Sequence, residues 1–142
     1  KELDIQFDQY VLKEILKLKI SKYFSNFLEL NKKYNFYIST STPKKKIIKI
    51  LKRKKIFKYF DKIYGSPDSK YTHVKLIKKN KKETIFIGDS AEDLNVAKKM
   101  KISFLLKNNS ENKFLRKYEK NLIKINSFKK IEKKIDRILT NK

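Results

Sequence analysis

Three short apolar runs in this chain each stop at a turn built from its scarcest residues. Phe36-Tyr-Ile-Ser-Thr runs on to Pro43, Lys62-Ile-Tyr to Gly65-Ser-Pro, and Thr84-Ile-Phe-Ile to Gly88-Asp89. Pro43, Gly65, Pro67 and Gly88 are the only prolines and glycines in 142 residues. Runs this short, rich in β-branched and aromatic residues and bounded by turn formers, read as strands. After each of them the pattern turns helical: Ile47, Ile48 and Leu51 behind Pro43, then Tyr71 to Asn80, then Ala91 to Met100. Parallel strands need a crossover between them, and a helix is the usual one. Strand and helix in alternation therefore predict an α/β fold with a Rossmann-like core of parallel strands.

Ile102 to Leu106 and Leu122 to Ile125 are two further strand candidates. A last helix over about 127–140 would put Phe128, Ile131, Ile135, Ile138 and Leu139 on one face. Ahead of the first strand, Phe7 to Lys33 is helical in spacing, with Lys19 to Ser21 as the place where one helix would give way to a second. The expected organisation is a helical segment over 1–33 and an α/β core over 34–142. Pro43 suits the first turn of the helix it precedes.

Composition removes several kinds of chemistry. With no cysteine, disulfide frameworks, thiolate zinc sites and thiol catalysis are excluded. His73 is the single histidine, so no site that needs two can exist, and a Ser-His-Asp triad would have to run through it. No apolar run nears the roughly 18 residues that span a bilayer and no signal-peptide pattern opens the sequence, so a cytoplasmic protein is expected. The net charge of +23 raises nucleic acid as a partner. Lys, Ile and Asn together make 64 of the 142 residues, and alanine occurs twice. These are the residues of A/T-rich codons, so base composition accounts for much of the lysine. The densest basic run, Lys44 to Lys62, holds ten basic residues without any RNP, zinc-finger or bZIP pattern around it. A solvated basic surface is the reading, and nucleic acid is not an expected partner.

In open α/β sheets, ligands bind beyond the carboxyl ends of the strands. Here those ends carry Ser39, Thr40, Ser41 and Thr42 after the first run, and Asp89 with Asp93 one helical turn later after the third. Gly65-Ser-Pro-Asp-Ser-Lys70 lies between them in sequence. Taken in order, Phe36-Tyr-Ile-Ser-Thr-Ser-Thr-Pro, Gly65-Ser-Pro-Asp-Ser-Lys and Ile85-Phe-Ile-Gly-Asp-Ser-Ala-Glu-Asp resemble motifs II, III and IV of the haloacid dehalogenase (HAD) superfamily. The likeness is to its phosphatase branch, phosphoglycolate-phosphatase-like members above all, and covers about residues 7–106. It implies an aspartate nucleophile, a second aspartate as general acid/base, and Mg2+ beside the transferred phosphoryl group.

Thr40 matches the motif II hydroxyl, a hydrogen-bond donor to a phosphoryl oxygen, with Ser39 or Ser41 replacing it if the register slips by one. Lys70 matches the motif III lysine, whose ammonium neutralises charge on the phosphoryl group and the nucleophile. Asp89 and Asp93 match the motif IV acids and would hold Mg2+, a hard cation that takes a few carboxylates plus water and phosphate oxygens. Each has a plainer reading: Asp89 as a helix N-cap, Asp93 as a first-turn acid favoured by the helix dipole, Lys70 as one of 35 lysines. Glu92 is expected to face solvent, and His73 to be a surface helix residue.

The sequence departs from the family at its nucleophile. No apolar strand followed by DxDGT or DxDGV is present; Asp4 and Asp8 are spaced four apart within a helical pattern. The segment up to Lys33 resembles the end of a helical cap, which makes a fragment lacking the central nucleophile strand the expectation. The implied function is a Mg2+-dependent phosphatase of small phosphorylated metabolites acting through an aspartyl-phosphate, inactive as this piece alone. The alternatives are a basic nucleic-acid-binding module and a catalytically dead HAD-fold partner. A receiver domain would need its acidic pocket first, whereas the order here is Thr40, Lys70, Asp89, and no GxxxxGK marks a P-loop.

Overall fold

The computed structural model describes residues 2–79 and 83–141. They form two compact units, Lys1–Pro67 and Asp68–Lys142, both of α/β character with parallel strands, as the alternation predicts.

The first unit opens with helices α1 (Glu2–Lys17) and α2 (Lys22–Leu30), broken where the periodicity lapses. Strand β1 (Tyr37–Pro43), helix α3 (Lys44–Arg53), a short 3-10 turn at Phe57–Tyr59 and strand β2 (Lys62–Ser66) follow. Leu51, Ile56 and Ile63 form the buried centre, against which Ile20, Phe24, Ile38 and Ile48 pack. Helices α2 and α3 and the two strands thus share one core. Lys54 reaches back from the end of α3 to the free carbonyls of Leu16 (3.1 Å) and Leu18 at the end of α1, where a cation suits the negative end of the helix dipole. Lys46 of α3 pairs with Asp8 of α1 at 2.8 Å. Asp61 fastens the start of the sheet: its carboxylate accepts from the Phe36 N–H at 2.8 Å and its own N–H donates to the Phe36 carbonyl at 2.8 Å.

Strands β1 and β2 are parallel, in register at Tyr37↔Lys62, Ile38↔Ile63 and Ser39↔Tyr64, then irregular until Pro43↔Ser66. Pro43 ends the strand instead of opening the helix, which begins at Lys44. A Cβ on Gly65 would stand 2.5 Å from the Thr42 carbonyl oxygen and 2.7 Å from the Lys44 nitrogen. Only glycine lets β2 pass this close to the irregular stretch of β1.

The second unit is built from α4 (Lys70–Lys79), β3 (Ile85–Gly88), α5 (Ala91–Met100), β4 (Ser103–Lys107), α6 (Lys113–Tyr118), β5 (Ile123–Ile125) and α7 (Ile131–Thr140). Its three strands are parallel in the order β3-β4-β5. Leu94, Leu106 and Leu115 form a buried cluster with Phe104 and Leu122 against it, and Ile131, Ile135 and Ile138 of α7 are buried too. Helix α7 starts four residues later than expected, because Lys130 adopts a left-handed conformation (φ 56°) that no helix interior accepts. The six-residue α6 and the 3-10 turn are too short for periodicity to reveal. The expected helix end at Asn80 lies outside the described residues. His73 is not on the surface: it is 1% exposed, buried in α4 together with its neighbour Val74. Among the described residues β1 pairs only with β2, and β3 only with β4.

Candidate active site

The candidate residues divide between the units. Thr40 and Ser41 lie in the first, on the irregular stretch of β1 between Ser39 and Pro43. Irregular strand ends of this sort turn side chains out of the pleat and are common beside active sites. Thr40 is half-buried and its Oγ1 accepts the Thr42 N–H at 3.1 Å, which leaves the hydroxyl proton free to be donated elsewhere. Ser41 is exposed.

Lys70, Asp89 and Asp93 lie in the second unit and are brought together there. Lys70 opens α4, two residues beyond the start of its unit. Its Nζ donates to Asp93 Oδ1 at 2.7 Å and stands 3.0 Å from Glu92 Oε2. The side chains of Lys70 and Asp93 are 14% and 7% exposed, that of Glu92 58%. Burial by itself would push the ammonium's pKa down; the hydrogen bonds and charges of Asp93 and Glu92 outweigh it and leave the pKa raised. Lys70 is a fixed positive charge. Glu92, expected to do nothing but face water, keeps its exposure and supplies the second arm of this pair.

Asp93 holds more than the lysine. Its Oδ2 accepts the backbone N–H groups of Asp89 and Ser90, each at 3.2 Å, while its own N–H donates to Ser90 Oγ at 3.1 Å. That is a reciprocal capping box at the start of α5. The carboxylate folds so tightly over the strand end that a Cβ on Gly88 would meet Asp93 Cβ at 2.6 Å and Oδ2 at 2.7 Å. Ser90, not Asp89, is the N-cap residue, so the plainer reading of Asp89 fails while that of Asp93 is part of what the structure displays.

Asp89 is exposed at the end of β3. The loop after β4 reaches it: Asn109 Nδ2 donates to Asp89 Oδ2 at 3.1 Å, and Asn112 Nδ2 donates to the Asp89 carbonyl at 2.9 Å. Neither asparagine stood out in the sequence, since asparagine is among the residues that its composition favours. As a metal ligand Asp89 fits the needs of Mg2+, with an exposed carboxylate whose Oδ1 remains open. Asp93 turns both oxygens onto protein donors. No group of three or more His, Cys, Asp or Glu side chains that could hold a metal ion occurs among the described residues. Asp8 pairs with Lys46, and the side chain of Asp4 lies outside the described residues.

No helix of the described residues is long and apolar enough to cross a membrane. Of the ten basic residues in the Lys44–Lys62 run, several are already engaged within the unit: Lys46 with Asp8, Lys54 with the end of α1, and Lys52 and Lys58 over the rings of Phe57 and Tyr59, each 5.1 Å from the ring centre.

A family model described as haloacid dehalogenase-like hydrolase matches residues 6–107. No curated protein matches significantly. Among solved structures, a haloacid dehalogenase-like family hydrolase from Streptococcus pneumoniae is similar in fold, with a TM-score of 0.73 at 23% sequence identity, over 94% of this chain and 68% of that one.

Proposed function

We propose a reaction for this chain from one premise: it belongs to the haloacid dehalogenase-like hydrolase family. The reaction is Mg2+-dependent hydrolysis of the phosphoric monoesters of small metabolites, through an aspartyl-phosphate, in the manner of the phosphoglycolate-phosphatase-like branch. The observation that carries it is that one buried carboxylate, Asp93, grips both the ammonium of Lys70 and the backbone of Asp89. A cation and an open carboxylate are thereby fixed at one strand end, as a phosphoryl group and its metal require.

Each residue then has a task. Lys70 neutralises negative charge on the phosphoryl oxygens, and it stays protonated because Asp93 and Glu92 flank it. In the first unit, the match to motif II assigns the Thr40 hydroxyl to a phosphoryl oxygen, with Ser41 as the neighbouring donor. Asp89 would hold Mg2+ through its open oxygen, and Asp93 supports it through the capping box. Bound Mg2+ would supply charge neutralisation to the phosphoryl group. The attacking carboxylate is assigned to none of residues 1–142.

The test is calorimetric binding of inorganic phosphate with and without Mg2+ at physiological salt, on the parent chain, Asp89→Asn and Lys70→Met. Mg2+-dependent binding that weakens at least about tenfold in both variants is the expected result. Binding that ignores Asp89→Asn removes Asp89 from the site. Turnover of p-nitrophenyl phosphate by residues 1–142 alone would overturn the statement that they lack the nucleophile.

A further inference from the structure

We infer that Asn109 is a positioning residue for the Asp89 carboxylate, aimed at it by an asparagine lock in the loop that follows β4. The inference rests on the reading of Asp89 as the metal ligand.

The amide orientation is fixed by partners that have no choice of role. Asn109 Oδ1 accepts the backbone N–H groups of Glu111 (2.9 Å) and Asn112 (2.8 Å). Backbone N–H groups only donate, so the oxygen must face them and Nδ2 must face Asp89 Oδ2, at 3.1 Å. Asn112 returns the bond, its Oδ1 accepting the Asn109 N–H at 3.1 Å. Its Nδ2 donates to two carbonyls, Asp89 at 2.9 Å and Lys107 at 2.8 Å. Asn112 is 6% exposed, so water does not compete for these bonds.

Asp89 is consequently held at three points: its N–H by Asp93, its carbonyl by Asn112, and Oδ2 by Asn109. What remains is Oδ1, presented in one direction. A ligand oxygen fixed in this way gives up little torsional freedom when a cation arrives, and residues that orient a metal ligand contribute roughly 10–100-fold to metal affinity. The partner has to be an amide. An acid at position 109 would set two carboxylates against each other and donate nothing.

The test uses Mn2+ as the probe, followed by electron paramagnetic resonance on the full chain, with urea unfolding of every variant alongside. Asn109→Ser is the informative change: a short hydroxyl at that position can still accept from the N–H groups two and three residues on, but it cannot reach Asp89. We expect Asn109→Ser to weaken Mn2+ binding by about tenfold at an unchanged unfolding midpoint, and Asp89→Ala to abolish it. If Asn109→Ser binds Mn2+ as tightly as the parent while Asp89→Ala does not bind, the positioning role is overturned and the metal ligand stands. If Asp89→Ala keeps the parent's affinity, the metal-ligand reading itself falls.

Discussion

Replacing Asp93 by alanine removes three hydrogen bonds that serve two purposes. Two of them, from the Asp89 and Ser90 N–H groups, close the start of α5; the third neutralises the Lys70 ammonium. Losing a helix cap of this type costs about 1 kcal/mol. Losing a hydrogen bond to a charged group costs about 1.5–3 kcal/mol. Glu92 remains beside Lys70 at 3.0 Å, which favours the lower end of that range. The sum is about 2.5 kcal/mol, a large part of the ~5–15 kcal/mol that holds a domain folded. Urea unfolding followed by far-UV circular dichroism measures it, and a double-mutant cycle divides it. In a Lys70→Met background the ammonium is gone, so Asp93→Ala should there cost only the cap, about 1 kcal/mol. The coupling between the two sites should be about 1.5 kcal/mol, within the range of directly bonded pairs. A coupling near zero would refute the claim that one carboxylate serves both the helix and the lysine.

Two further outcomes follow from the same unit. Lys101 ends α5 in a left-handed conformation (φ 51°, ψ 48°) with its N–H on the carbonyls of Ala97 and Lys98; Lys101→Gly should raise the urea midpoint by roughly 0.5–1 kcal/mol of stability, and a lowered midpoint would contradict this. Because the folded chain raises the Lys70 pKa above its ordinary 10.5, the stability linked to that proton is complete below 10.5 and is lost as pH climbs through the folded-state value. The parent should therefore lose stability faster than Lys70→Met on alkaline titration, and parallel curves would show that the ammonium contributes nothing.

How far the sequence reached depended on whether a feature was local. The run Thr84 to Ile87 and the helix Ala91–Met100 follow from neighbours in the chain, and β3 and α5 lie within a residue of those expectations. Lys70, Asp89 and Asp93 were singled out by their order in the chain, and the structure joins them through bonds across twenty-three residues or within one turn. Glu92, Asn109 and Asn112 were not legible, because nothing in periodicity shows that a side chain will meet a backbone carbonyl twenty-three residues away, as Asn112 does at Asp89. The burial of His73 was missed for a related reason: a single polar residue in α4 reveals its face only once neighbours pack on it. The late start of α7 turned on one backbone dihedral at Lys130, and lysine is not a residue that announces a left-handed turn.

The two glycines carry a consequence of another kind. Neither has positive φ, while Lys55, Lys101 and Lys130 occupy all three of the left-handed positions among the described residues. At those three positions lysine bears torsional strain of about 1–2 kcal/mol that glycine would relieve. Glycine stands where a methyl group would collide with other atoms at 2.5–2.8 Å, at Gly65 against the backbone of Thr42 and Lys44 and at Gly88 against Asp93. Both glycines thus mark close approach of other atoms rather than backbone torsion, and both stand at strand ends next to the residues assigned to phosphate and metal.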